Sequence, residues 1–161
     1  MKNKKILSLL CCAIFIFSTL CSCGISDKLS VDEIHDELVR TAISDDTSVK
    51  LSDGQVENYF IFDKKAVSDY AVSLGDDENA YKTVAVFKAQ NKTEREIVLH
   101  SIQLYLTNVT DAHNKATDLK QLDKLSGRLI YECGDFLILV ITDEYTASTA
   151  YLKSIKAKPL K

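Results

Sequence analysis

Cys133-Gly134-Asp135-Phe136-Leu137-Ile138-Leu139-Val140-Ile141 is the most informative stretch of the chain. Gly followed by Asp between two β-rich runs marks a two-residue hairpin, with Gly supplying the positive φ of a type II′ turn. The turn pairs Leu129 to Cys133 with Phe136 to Ile141. All six positions of the second run are apolar, so both parities are apolar, whereas a strand with one solvated face would alternate. Phe136 to Ile141 is therefore expected to be a central strand covered on both faces. The long helix and the C-terminal helix are expected on one side. The aromatic cluster Tyr59 to Phe62, with the first helix, is expected on the other.

Tyr70 to Leu74 and Thr83 to Ala89 alternate with a period of two and form a second hairpin. Ser30-Val31-Asp32-Glu33 is a capping box, and Val31, Ile34, Leu38 and Ala42 share a stripe, which predicts a helix over 31–43. Thr93-Glu94-Arg95-Glu96 reads as a second box opening the longest helix, 93–113. Asp63 is read as capping a short turn over 64–67, and Asp143 as capping a final helix that presents Tyr145, Ser148, Leu152 and Ile155. Leu119, Leu122 and Leu125 suit a short surface helix or an ordered loop. The order α-β-β-α-β-β-α predicts an α+β fold: a four-stranded, mainly antiparallel sheet of two hairpins packed with helices.

The N-terminal residues differ in composition from the rest. Lys2, Lys4 and Lys5 precede an apolar run from Ile6 to Phe17, the layout of a secretory signal peptide. The run is short of the about 20 apolar residues needed to span a bilayer. Leu20-Cys21-Ser22-Cys23 resembles a bacterial lipobox, which implies cleavage after Ser22 and a thioether-linked diacylglycerol, with palmitate-type acyl chains, on Cys23. Cys21 is the poorer acceptor because bulky Leu20 precedes it. The expected organisation is a signal peptide over 1–22, a lipidated Cys23 with a short tether over 23–30, and one domain over 31–161. Two acyl chains hold a protein stably on a membrane, so the expected location is the outer face of the cytoplasmic membrane.

The chain has 161 residues, with 20 Lys+Arg against 23 Asp+Glu, one Pro and 46% hydrophobic residues, a profile of one globular domain. Removing the leader takes three Lys and no acid, so the mature chain is more acidic. An acidic module is expected to stand off an anionic membrane, and it lacks the clustered Lys/Arg that nucleic acid requires. Cys11, Cys12 and Cys21 leave with the leader and Cys23 is acylated, so Cys133 is the remaining thiol and no disulfide supports the fold.

The layout is similar to a family of small lipoproteins of Gram-positive gut bacteria, catalogued as domain of unknown function 4358. The matching residues are the segment from Tyr59 through Tyr70, the strand Val84-Ala85-Val86-Phe87-Lys88-Ala89 running into a long helix, and the hairpin from Cys133 to Asp143. The family often carries a Tyr and a Pro after the long helix, and Asp111 to Leu125 contains no Pro. The resemblance implies location and fold and supplies no mechanism.

Candidate chemistry is sparse. His35, beside Ile34 and Asp36, reads as a surface or boundary histidine. His100 and Ser101 are neighbours whose side chains leave a helix about 100° apart, which does not make a triad. Asp111-Ala112-His113 has too few ligands for zinc. The acidic loop Gly75 to Asn79 lacks calcium-loop spacing, which favours a solvated hairpin loop and leaves cation binding open. Cys133 shares parity with Leu129 and Tyr131 and reads as a buried small hydrophobe, while Lys88 at a strand end reads as a snorkelling lysine. No catalytic, cofactor or metal residue is assigned. The expectation is a non-catalytic membrane-anchored module binding another envelope protein, a wall polymer or a small ligand. The alternative is a surface-anchored hydrolase whose site converges only in space.

Overall fold

Gly134 adopts φ 60°, and the turn it makes joins β4 (Leu129–Cys133) to β5 (Phe136–Ile141), as expected. The computed structural model describes residues 28–43, 47–76, 81–116, 125–143 and 145–160, without the side chains of 113–116. Among these residues the order is α1 (Val31–Ala42), β1 (Ser48–Lys50), α2 (Asp53–Tyr59), a 3-10 turn (Lys64–Ala66), β2 (Val67–Gly75) and β3 (Thr83–Ala89). It continues with α3 (Lys92–Ala116), β4, β5, α4 (Tyr145–Ser154) and β6 (Lys158–Pro159).

The fold is α+β, but the sheet has six strands rather than the expected four, in the order β1-β2-β3-β5-β4-β6 with every neighbouring pair antiparallel. The additions are edge strands of three and two residues, too short to display a period of two. The two hairpins meet through β3 and β5, where Ala85 faces Leu139 and Val86 faces Ile138.

Every residue of β5 is buried, and its parities feed two separate cores. Phe136, Ile138 and Val140 pack with Val31, Ile34 and Leu38 of α1 and Leu152 of α4. Leu137, Leu139 and Ile141 pack with Val98, Ile102 and Tyr105 of α3, with Val56 of α2 and with Phe60. Both faces are covered, yet the helices are distributed differently from the expectation: α4 lies with α1, and the aromatic segment lies with α3. Local geometry at the strand exits explains this. Thr142, just past β5, donates its hydroxyl to the Ala42 carbonyl and draws the chain onto the α1 side. α3 follows β3 after Ala89, on the face of Phe87, where Phe60 stacks on Tyr105 at 4.3 Å and meets Phe87 edge-on at 5.1 Å.

The α1 capping box is present, with Glu33 N donating to Ser30 Oγ at 3.2 Å and Ser30 N to Glu33 at 2.8 Å. At α3 the expected Thr93 box is replaced by Asn91, whose side-chain oxygen accepts from the amides of Thr93 (2.9 Å) and Glu94 (3.1 Å). β3 ends at Ala89, so the two-residue turn leaves Asn91 at the capping position, where Asn ranks with the best residues. Asp63 caps the 3-10 turn through the Lys65 amide. The expected helix or loop around Leu119 and Leu122 lies outside the described residues; Leu125 is buried in the α3-side core.

Leu139 is fully enclosed, so Leu139→Asp would bury a carboxylate with no partner. A loss of more than about 3 kcal/mol is expected in urea unfolding of the monomer. Near-normal stability would mean that the α3 layer does not seal this face.

Candidate functional site

α1 carries its apolar stripe as Val31, Ile34, Leu38 and Ala42, and one turn after Val31 the same side holds His35. His35 is only 2% exposed, correcting the expectation of a surface or boundary residue. It meets Ser73, which β2 turns toward α1 on the parity of Ala71. His35 Nε2 lies 3.0 Å from Ser73 Oγ, and Nδ1 lies 2.9 Å from Asp36 Oδ1. A carboxylate only accepts, so in the neutral ring Nδ1 carries the proton toward Asp36 and Nε2 accepts from the Ser73 hydroxyl. The line Ser73–His35–Asp36 opens into a cleft of about 630 Å³ lined also by Glu33, Glu37, Arg40 and Lys50.

The connectivity is that of a Ser-His-Asp triad, but the environments are inverted. A working triad buries the carboxylate and presents the nucleophile to substrate beside oxyanion donors. Here the Asp36 side chain is 72% exposed and Ser73 is 1% exposed. Ser73 sits inside the sheet, opposite Lys50 of β1 on one side and Val84 of β3 on the other. A carbonyl carbon cannot approach its Oγ without parting α1 from β2. The arrangement therefore serves as a buried polar clasp between helix and sheet.

The other candidates do not converge on it. Ser101 donates to the carbonyls of Ile61 (2.7 Å) and Ile97 (3.1 Å), pinning the aromatic segment to α3, while His100 is exposed. Asp111 borders a separate groove with Gln103, Thr107 and Arg128, and the side chain of His113 lies outside the described residues. Of the acidic loop, Gly75 and Asp76 are described, their amides donating to Lys82 and Thr47 carbonyls; Asp77 to Asn79 lie outside. Cys133 behaves as expected: it is buried, its Sγ donates to the Ile155 carbonyl at 3.2 Å, and burial pushes its thiol pKa up. Lys88 places its ammonium 5.4 Å from the Phe136 ring centre. Cys23 lies outside the described residues. Among the described residues no group of three or more His, Cys, Asp or Glu is placed to hold a metal, and no helix is long and apolar enough to cross a membrane.

Sequence reasoning missed Ser73 and misplaced His35. The available signal was parity: a serine on the inward face of a strand, and a histidine one turn from Val31 on the buried stripe.

No protein-family model, curated protein or solved structure matches this chain.

Burial holds the His35 pKa below its ordinary value of 6.5, opposed by the bond to Asp36, while Lys50 lowers it further. With the folded value depressed, the histidine's contribution to stability is complete above pH 6.5 and is lost as pH falls toward the folded value. The urea midpoint of the protein should therefore drop between pH 7.5 and pH 5 by more than that of His35→Gln, which does not titrate. Parallel pH profiles for the two proteins would refute the clasp's titration.

Proposed function

We propose that the chain is a lipid-anchored, extracytoplasmic, non-catalytic binding module whose partner is another protein of the cell envelope. One observation carries this reading: an exposed apolar patch on the α3 face of the sheet. Ile61 is 63% exposed, and Tyr59, Ile97 and Leu104 are exposed beside it. Ser101 joins them, since its hydroxyl bonds the carbonyls of both Ile61 and Ile97. Leu104 follows Ser101 by one helical turn, and the Tyr59 ring meets Tyr105 at 6.4 Å.

Exposed apolar patches on monomers mark interaction sites, and four side chains are far fewer than the about 20–30 residues a side of a standard stable interface. Such a surface suits a transient protein contact. A wall glycan would be recognised by polar groups and flat aromatic faces, and three of these four side chains are aliphatic. Leu29, where the chain enters the domain, packs on the opposite, α1-side core. In the anchored reading the patch is therefore turned away from the tether layer.

The lipobox-like Leu20-Cys21-Ser22-Cys23 supports the anchor, and the resemblance to the lipoprotein family catalogued as domain of unknown function 4358 supports the location. Replacing Cys23 by Ser should abolish incorporation of labelled fatty acid and release the protein from washed membranes; unchanged labelling would refute the anchor.

The patch is tested separately. Ile61→Glu with Ile97→Glu changes only exposed positions, so the circular dichroism and melting of the variant should match the parent. Cross-linking in detergent-solubilised membranes should then lose the partners recovered with the parent chain. An identical cross-linked set would move the binding surface elsewhere, and covalent labelling of Ser73 by a fluorophosphonate would restore the hydrolase reading.

A further inference from the structure

The sheet ends on two different edges. At β6 the Leu160 amide donates to the Ile130 carbonyl at 2.8 Å, so the alternation of an antiparallel ladder turns the main chain of Pro159 outward. Proline has no N–H to offer, and that edge is closed to pairing. At β1 the ladder to β2 is bonded where the Asp76 amide meets the Thr47 carbonyl (2.8 Å) and the Leu51 amide meets the Val72 carbonyl (2.9 Å). The same alternation bonds Val49 to Leu74 and turns the N–H and C=O of Lys50 away from β2. No strand of the described residues lies beyond. We propose that the edge of β1 docks an extended peptide in which an apolar residue is followed by a basic one.

The side chains around this edge define the occupant. Lys50 lies opposite Ser73 and so points to the α1 face, as does Ser48, while Val49 points to the other face and is 51% exposed. α1 packs over β2 and β3 through Ala71, Val84 and Val86 and stops short of β1. The cleft of about 630 Å³ is the step between them, with Ser48, Lys50 and Ser73 on its floor and Asp36, Val39 and Arg40 on its wall.

The charges here do not cancel. α1 brings four carboxylates, Asp32, Glu33, Asp36 and Glu37, against two cations, Lys50 and Arg40. Lys50 pairs with Asp32 at 3.0 Å, and Arg40 pairs with Glu37. Glu33 and Asp36 accept from neutral donors, Ser30 and the His35 ring, and keep their charge. The cleft therefore favours a cation.

An antiparallel strand added about 4.8 Å beyond β1 exchanges both of its main-chain bonds with Lys50. Its next residue falls beside Val49, where an apolar side chain covers the exposed valine. The residue after that lies opposite Ser48 and points up the cleft wall toward Asp36. A short edge that carries a lysine resists arbitrary strands. At β1 it also selects: a cation directly opposite Lys50 is repelled, whereas one opposite Ser48 meets the carboxylate. The proposal rests neither on the anchor nor on the Ile61 patch.

The test is fluorescence anisotropy of the natively acylated protein in detergent micelles with a labelled, end-blocked peptide, Thr-Ser-Ile-Lys-Thr. In the proposed register its Ser faces Lys50, its Ile lies beside Val49 and its Lys faces Ser48. Saturable binding is expected, and its absence overturns the inference. N-methylation of the peptide Ser removes the bond to the Lys50 carbonyl and should weaken binding about tenfold. N-methylation of the Ile, whose N–H faces away from β1, should be tolerated; equal effects of the two would refute strand pairing. Asp36→Asn keeps an acceptor for His35 and should weaken binding about fivefold with unchanged circular dichroism. Replacing the peptide Lys by norleucine makes the same test without altering the protein, and unchanged affinity would refute the role of the cleft. Ile61→Glu with Ile97→Glu should bind the peptide as the parent does, and a loss there would move the site to that patch and overturn the inference.

Discussion

The structure depends on a strand with nowhere to put water. Burying a six-residue apolar strand on both faces requires two covering layers, and a chain this short has few elements to supply them. The solution uses all four described helices: α1 and α4 on one face, α3 with α2 and the aromatic turn on the other. At about 25 cal/mol for each Å² removed from water, this burial is the main term opposing the entropy of ordering the chain. Cys133, the cysteine among the described residues, is buried with a free thiol and donates to a backbone carbonyl, so packing and buried hydrogen bonds secure the layers among those residues.

The two layers are secured by different chemistry. The α3 face is aromatic, with Phe60, Phe62, Tyr70, Phe87 and Tyr105 in mutual ring contact. A deep hydroxyl pair, Thr83 with Tyr105 at 2.8 Å, lies within it, and burial pushes the Tyr105 pKa up to about 12. The α1 face has smaller aliphatic contacts interrupted by the polar clasps of His35 with Ser73 and of Thr142 with the Ala42 carbonyl. Large rings supply area and offset geometry, whereas buried hydrogen bonds supply registry, because each displaced partner leaves an unsatisfied group.

Periodicity made β2, β3, β4, β5, α1 and α3 legible, since each spans enough residues for its apolar pattern to repeat. The edge strands were not, because three residues at Ser48–Lys50 and two at Lys158–Pro159 show no period, and their pairing is decided by neighbours distant in sequence. The assignment of helices to faces was also hidden. It turns on single hydrogen bonds at strand exits, such as that of Thr142, which leave no compositional trace. The same applies to the clasp: Ser73 and His35 are 38 residues apart, and only their shared inward parity joins them. The expectation for Cys23 comes from a local pattern, the lipobox-like Leu20-Cys21-Ser22-Cys23.

Registry bears on how the domain would tolerate the anchor proposed for it. In the anchored reading, force from the membrane enters at Leu29 and Val31, directly into α1. An apolar stripe alone would let α1 slide along the sheet at modest cost, since one aliphatic contact replaces another. His35 and Ala42 prevent this. A shift of one residue would carry the imidazole away from Ser73 and the Ala42 carbonyl away from Thr142, orphaning buried polar groups at about 1–3 kcal/mol each. The two clasps sit seven residues apart on α1, near its first and last turns, so they resist tilt as well as translation. A histidine in a triad-like setting thus acts as a stop, holding α1 in one position on the sheet.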